Sequence, residues 1–115
     1  MKIYISGPIS GMKDYKARFD VAAQQIRAKG HEPVNPCDLN RILDPATTTW
    51  TQYMLADIGL LKACDAVVVL EGWESSRGAK IEVKKAQELG MTVYKQIDNI
   101  PDGREVREDG EETEQ

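Results

Sequence analysis

One histidine and two cysteines are all that this 115-residue chain offers for imidazole or thiolate chemistry. His31 has no second histidine with which to build a familiar zinc pattern, and Cys37 and Cys64 lack the close spacing of a metal or redox motif. Free thiols, no metal and no cofactor are therefore expected. His31 follows Gly30 at a predicted helix exit, which gives it a helix-end or loop role rather than a catalytic one. No apolar run approaches the ~20 residues that cross a bilayer. Met1 to Gly7 enters a strand-like pattern without the apolar segment or cleavage site of a secretory signal, so the expectation is a cytoplasmic protein with no membrane partner. A dense basic stripe is also missing, which argues against a nucleic-acid polymer as partner.

What is present is ordinary for a globular protein, 41% hydrophobic and 30% charged, at a length that buries one sizeable core but not two. The formal net charge of −4 is unevenly spread. Residues 102–115 carry seven acids against Arg104 and Arg107, a net −5 that leaves the rest of the chain at +1. Few apolar residues and a high charge density predict a disordered acidic tail over 102–115, following a single domain over 1–101.

Along that domain, strand and helix signals alternate. Lys2 to Ser6 reads as a strand, ended by the turn chemistry of Gly7-Pro8-Ile9-Ser10-Gly11. Tyr15, Phe19, Ala22 and Ile26 then form one apolar stripe, predicting a helix from about Asp14 to Lys29 with Gly30 as its stop. Glu32 to Asn35 can make a short strand, and the polar, proline-containing stretch from Pro36 to Thr49 predicts a long loop. A second helical pattern runs from about Trp50 to Ala63. The β-branched run Asp65 to Leu70 suits a strand covered on both faces. Beyond the loop Glu71 to Ser76, a helix reaching Gly90 and a strand Met91 to Tyr94 complete the order βαβαβαβ. The pattern predicts a doubly wound, Rossmann- or flavodoxin-like α/β fold: an open parallel sheet of four to five strands with helices on both sides. Ligands of such sheets collect beyond the carboxyl ends of the strands, where strand order reverses. The Gly7–Gly11 loop, Asn35 and the Glu71–Ser76 loop all leave such ends.

Two acids occupy positions where water is expected to be scarce. Helical spacing sets Glu82 beside Ala79, Val83 and Ala86, and Asp57 beside Met54, Ile58 and Leu61. A buried, unpaired carboxylate costs several kcal/mol on the order of, so inward-facing acids point to a site. Two carboxylates across a pocket are sufficient for retaining glycosyl chemistry, with Glu82 as nucleophile and Asp57 as the second acid. By periodicity alone, each is equally compatible with a helix edge in water or a satisfied core hydrogen bond. The Gly7–Gly11 loop could cradle a phosphate or a sugar at a helix start, or be a plain strand-to-helix turn. Trp50 and Trp73 could stack on a nucleobase, or lie as aromatic lids over the core.

The segments Tyr4-Ile5-Ser6-Gly7-Pro8-Ile9-Ser10-Gly11, Asp57 ahead of Cys64-Asp65-Ala66-Val67-Val68, and Ser76-Arg77-Gly78-Ala79-Lys80-Ile81-Glu82 resemble three motifs of the nucleoside 2-deoxyribosyltransferase-like superfamily. Together they cover the span from Lys2 to about Tyr94. The likeness extends to small bacterial and phage members and, more distantly, to the 2'-deoxynucleoside 5'-phosphate N-hydrolases. The resemblance implies cleavage of the N-glycosidic bond of a (deoxy)nucleoside or its 5'-monophosphate, by hydrolysis or by transfer to another base. It implies Glu82 as nucleophile, Asp57 orienting the sugar or protonating the leaving base, and Tyr4 near the nucleophile. Ser6, Gly7 and Gly11 would line the ligand loop, with Ser76 and Gly78 near the 5' group; Ile9, Asn35 and Trp73, set on the same rim by the strand-end loops rather than by the resemblance, are expected to contact the substrate as well. Phosphate-hydrolysing relatives carry an arginine-containing first loop where this chain has Pro8 and Met12-Lys13, leaving Arg77 or Lys13 as the cations available. Relatives assemble as homodimers or larger homo-oligomers, and Ile81, on the outer flank of its helix, could join such a contact. The alternative function is a module that binds a nucleotide or nucleotide signal without turnover.

Overall fold

The computed structural model describes residues 1–103, so most of the acidic segment, residues 104–115, lies outside the described residues. Four strands, β1 (Lys2–Ser6), β2 (Glu32–Val34), β3 (Ala66–Val69) and β4 (Thr92–Tyr94), pair in parallel in the order β2-β1-β3-β4. Three helices connect them: α1 (Tyr15–Ala28), α2 (Trp50–Lys62) and α3 (Arg77–Glu88). This is the doubly wound α/β architecture expected from the alternating pattern, with four strands. From β1 the chain first adds β2 on one side and then crosses to add β3 on the other. Strand order therefore reverses between β1 and β3, the position at which such sheets bind ligands.

Alternation along β1 decides which side chain meets which helix. Ile3 and Ile5 face α1, in a core with Phe19, Ala22, Ala23, Ile26, Ala66 and Val68. Tyr4 faces the other way, into a core with Leu61 of α2, Val67 of β3 and Ala86 of α3. Ser6, two residues on, shares that second face and is fully buried. A strand packed on both sides is thereby made to carry two hydroxyls toward α2 and α3.

The stretch predicted as a long loop is partly ordered. A 3-10 turn over Pro36–Arg41 is capped by Asn35, whose side-chain oxygen accepts from the Cys37 amide at 3.0 Å. Pro36 presets the first backbone angle of that turn, so cap and proline together offset the weak local preference. Near the end of the described chain, a 3-10 turn over Ile97–Asn99 delivers Ile100, 2% exposed, to the α1 core. The backbone then stays on the body: Pro101 O lies 2.7 Å from His31 Nε2, and the Gly103 amide donates to Lys29 O at 2.6 Å. Asp102 and Gly103, read from composition as the start of the tail, are thus among the described residues. No helix among them is long and apolar enough to cross a membrane.

Candidate active site

The site is built around one carboxylate. Glu82 lies on the second turn of α3, whose first turn is fixed by Ser76: its hydroxyl accepts from the Ala79 amide at 3.2 Å. Ala79, Val83 and Ala86 bury one flank of the helix against the sheet, and Glu82 goes in with them, 5% exposed. Its partners come from β1. Tyr4 donates its hydroxyl to Oε2 and Ser6 donates to Oε1, each at 2.7 Å. Short hydrogen bonds to a charged acceptor are among the stronger ones and fix the plane of the carboxylate.

Asp57, on α2, is 8% exposed and hydrogen-bonded to Glu82. Two carboxyl groups in contact cannot both ionise at ordinary cost, so the pair holds a proton between them. Burial first, then the charge of Glu82 and the hydrogen bond to it, push Asp57 up to about 8. Burial also raises Glu82, while the hydrogen bonds from Ser6, Tyr4 and Asp57 oppose that rise. Both acids are thus held above the ordinary carboxylate range, and the pair keeps a proton that a lone exposed acid would have lost. Tyr4 is held well above the ordinary phenol value by burial and by the charge of Glu82, so it remains a donor. No buried side-chain nitrogen or oxygen among the described residues lacks a partner.

The pair faces a cleft of about 960 Å³, large enough for a drug-sized molecule. Its walls come from the loop after β1 (Gly7, Pro8, Ile9), the 36–45 stretch, α2 and the amino-terminal end of α3. These walls approach closely at two glycines, most tightly at Gly7. A Cβ on Gly7 would lie 2.9 Å from Leu70 Cβ, and one on Gly78 would lie 3.3 Å from Met54 Sδ, where α3 meets α2.

Of the residues singled out from sequence, Gly7, Ile9, Asp57, Ser76, Gly78 and Glu82 line this cleft, and Tyr4 and Ser6 sit directly behind Glu82. Three lie elsewhere. Asn35 is buried, divided between capping the 36–41 turn and donating to Asp20 Oδ1 at 3.1 Å, which leaves its amide occupied. Gly11 forms a turn at φ +80° with nothing near its missing Cβ. Trp73 lies outside the lining with the Lys95 ammonium 4.5 Å from its ring centroid. All three leave strand ends as topology requires, but their side chains or turns serve the rim itself. The wall also holds residues that sequence reasoning gave no role, notably Arg18, Asn40 and Tyr53. Arg18 ties two loops together, donating to Glu71 O at 2.8 Å and approaching Met12 Sδ at 3.2 Å. Tyr53 donates to Asn40 Oδ1 at 3.0 Å, fastening the 36–45 stretch to α2. Of the two candidate cations, Arg77 lines the cleft and Lys13 does not.

Cys37 also lines the cleft, but burial followed by the charge of Asp20 pushes its thiol up to about 11, so it is not a nucleophile near neutrality. Among the described residues no three His, Cys, Asp or Glu side chains are grouped to hold a metal ion.

No curated protein matches the sequence. Among solved structures, a 2-deoxyribosyltransferase from Leishmania mexicana superposes with a TM-score of 0.60 at 24% identity, over 80% of this chain and 61% of that one. The 2-deoxyribosyltransferase of Bacillus psychrosaccharolyticus superposes with a TM-score of 0.64 at 21% identity, over 81% of this chain and 69% of that one. The chain thus spans less than two thirds of the Leishmania protein, and at these identities the likeness is one of fold. Residues 1–95 match the family described as Domain of unknown function (DUF4406). With that match covering most of its length, and with the fold of the nucleoside 2-deoxyribosyltransferases, this chain belongs to the DUF4406 family.

Proposed function

We propose that the protein cleaves the N-glycosidic bond of a (deoxy)nucleoside or its 5'-monophosphate, using Glu82 as nucleophile and Asp57 as proton donor. The observation that carries this reading is the pair itself: a buried Glu82 carboxyl bonded by two hydroxyls and interacting with a second buried acid, Asp57, both lining the same cleft. Tyr4 and Ser6 orient Glu82 for attack on the anomeric carbon. As the new C–O bond forms, the pair of electrons of the old C–N bond leaves with the base, and Asp57 protonates the departing nitrogen.

The hydrogen bond between the acids supplies timing. The charge of Glu82 is one of the causes that hold the proton on Asp57. Forming the glycosyl ester removes that charge, so Asp57 becomes a stronger acid as the base departs. Water or a second base, deprotonated by the Asp57 carboxylate, then attacks the anomeric carbon and releases Glu82, giving hydrolysis or transfer. The partner is a small nucleoside or nucleotide rather than a polymer. The reading includes a cytoplasmic homodimer or larger homo-oligomer, with Ile81, 39% exposed, on the outer flank of α3.

The test is incubation with a panel of deoxynucleosides and their 5'-monophosphates, with and without a second free base, followed by chromatography. Free base without an acceptor marks hydrolysis, and a new nucleoside only with an acceptor marks transfer. Binding with no product from any substrate would overturn the catalytic reading in favour of a binding module.

A further inference from the structure

Arg18 stands where two concavities meet. It lines the main cleft and also a shallower groove of about 340 Å³ along α1, and Glu71 is the other residue common to both. Apart from these two, the groove is walled by Ala17, Val21, Ala22, Leu70 and Ile97, with Gln25 beside them. The half-buried Arg18 side chain is placed but not neutralised. One guanidinium nitrogen donates to Glu71 O at 2.8 Å, and the other reaches only Met12 Sδ, at 3.2 Å, a weak acceptor. Among the described residues no carboxylate pairs with it. Glu71 opens the stretch between β3 and α3, and the far end of that stretch carries Ser76 and Gly78, the residues expected beside a 5' group. The 5' end of a bound nucleoside is thereby directed along this wall toward Arg18. Charge decides what can be attached there. Asp14, one turn before Arg18, and Glu71 line the same cleft. A terminal phosphate carries roughly −1.5 to −2 near neutrality, more than one guanidinium between two acids offsets, whereas esterification leaves about −1. Arg77, the other cation of the wall, is taken up with the Trp50 ring, 4.2 Å from its centroid.

We propose that the preferred substrate is a nucleoside 5'-phosphodiester: the reacting nucleoside lies in the cleft, Arg18 holds the diester oxygens, and a second nucleoside esterified to them runs into the groove along α1. This inference rests on the glycosidic reading and names a substrate class within it. A guanidinium suits the linkage because its planar fork can meet two phosphate oxygens at once. The apolar walls of the groove take the second base, and Gln25 and Glu71 meet the polar edges of its sugar. Continuity of the two concavities through Arg18 and Glu71 is what selects a two-part ligand over a nucleoside that stops at the cleft.

The experiment compares kcat/KM for base release from each deoxynucleoside in four forms: free, as the 5'-monophosphate, as the 5'-methylphosphate, and as the 3' member of a 3'→5' dinucleotide whose other base differs. The methylphosphate should exceed the free nucleoside roughly 10- to 100-fold, the size of charge-assisted hydrogen bonds to a phosphate. The monophosphate should fall below the methylphosphate, and the dinucleotide should exceed it. Arg18→Ala should bring the ratio of methylphosphate to nucleoside close to one. Arg18→Gln, which can still donate to Glu71 O and keep the two loops tied, should do the same, so the test survives an unstable alanine variant; far-UV circular dichroism checks folding of each. Val21→Glu, at a position 52% exposed on the groove, should abolish the extra gain of the dinucleotide over the methylphosphate. A methylphosphate cleaved no faster than the nucleoside, or a monophosphate preferred to it, would overturn the diester assignment and leave the glycosidic reading standing. Absence of base release from every form would overturn the glycosidic reading instead. Equilibrium dialysis then decides the remainder: dinucleotide binding that is tighter than nucleoside binding and lost in Arg18→Gln keeps the two-part site, and equal or absent binding ends both.

Discussion

At the scale of single residues, the acids are held in place by two hydroxyls and by each other. Glu82→Gln is expected to abolish base release while leaving the fold intact, since an amide still accepts from Tyr4 or Ser6; chromatography and circular dichroism check the two halves. Asp57→Asn should slow turnover at least ~100-fold, the usual size of general-acid catalysis. The pH dependence has a definite sign. Asp57 is raised from 3.8 to about 8, so turnover that needs its proton should fall as pH rises past about 8. Stability follows the same proton. Between those values the folded state binds a proton that the unfolded chain has lost, so folding free energy is greatest below about 3.8 for this group and declines up to about 8. Melting temperatures measured from pH 5 to 9 should therefore drop more for wild type than for Asp57→Asn. These acids were legible in the sequence because helix periodicity alone places them on apolar flanks. Trp73 and Asn35 were not, because strand-end topology fixes where a loop begins but not where its side chains turn.

At the scale of elements, the cleft depends on close approach and on caps. Gly7→Ala sets a methyl 2.9 Å from Leu70 Cβ, forcing β1 and the end of β3 apart, and an overpacking cost of ~1–3 kcal/mol is expected in denaturant unfolding. Ser76→Ala removes the cap of α3, with an expected loss of ~0.5–2 kcal/mol. Since Glu82 rides on that helix, the same variant should also lower kcat. Alternation of strand and helix signals carried nearly all of this architecture, because parallel βα units leave few other arrangements. The 36–41 turn was hidden for a local reason: its residues show no helical period, and a single Asn–Pro cap orders them. Asn40, together with Pro45 from the stretch that follows, reaches the cleft only through that turn.

At the scale of the whole molecule, the described chain closes on itself at residues 100–103. Ile100 fills the α1 core, and Pro101 and Gly103 bond to His31 and Lys29. Relative to a chain ending at Gly103, one ending at Asn99 removes Ile100 from the core and should cost ~1.5–3 kcal/mol, measurable as a lower midpoint in urea.

The buried acids have a further effect on how this protein responds to selection. Replacing Asp57 with an apolar residue of similar size removes a desolvation cost while Tyr4 and Ser6 keep their bonds to Glu82, so that variant is expected to be sturdier than its parent. Any search for heat-resistant variants that scores survival alone is expected to lose the acid at 57 first, while position 82 is kept by the two hydroxyls that would otherwise be stranded.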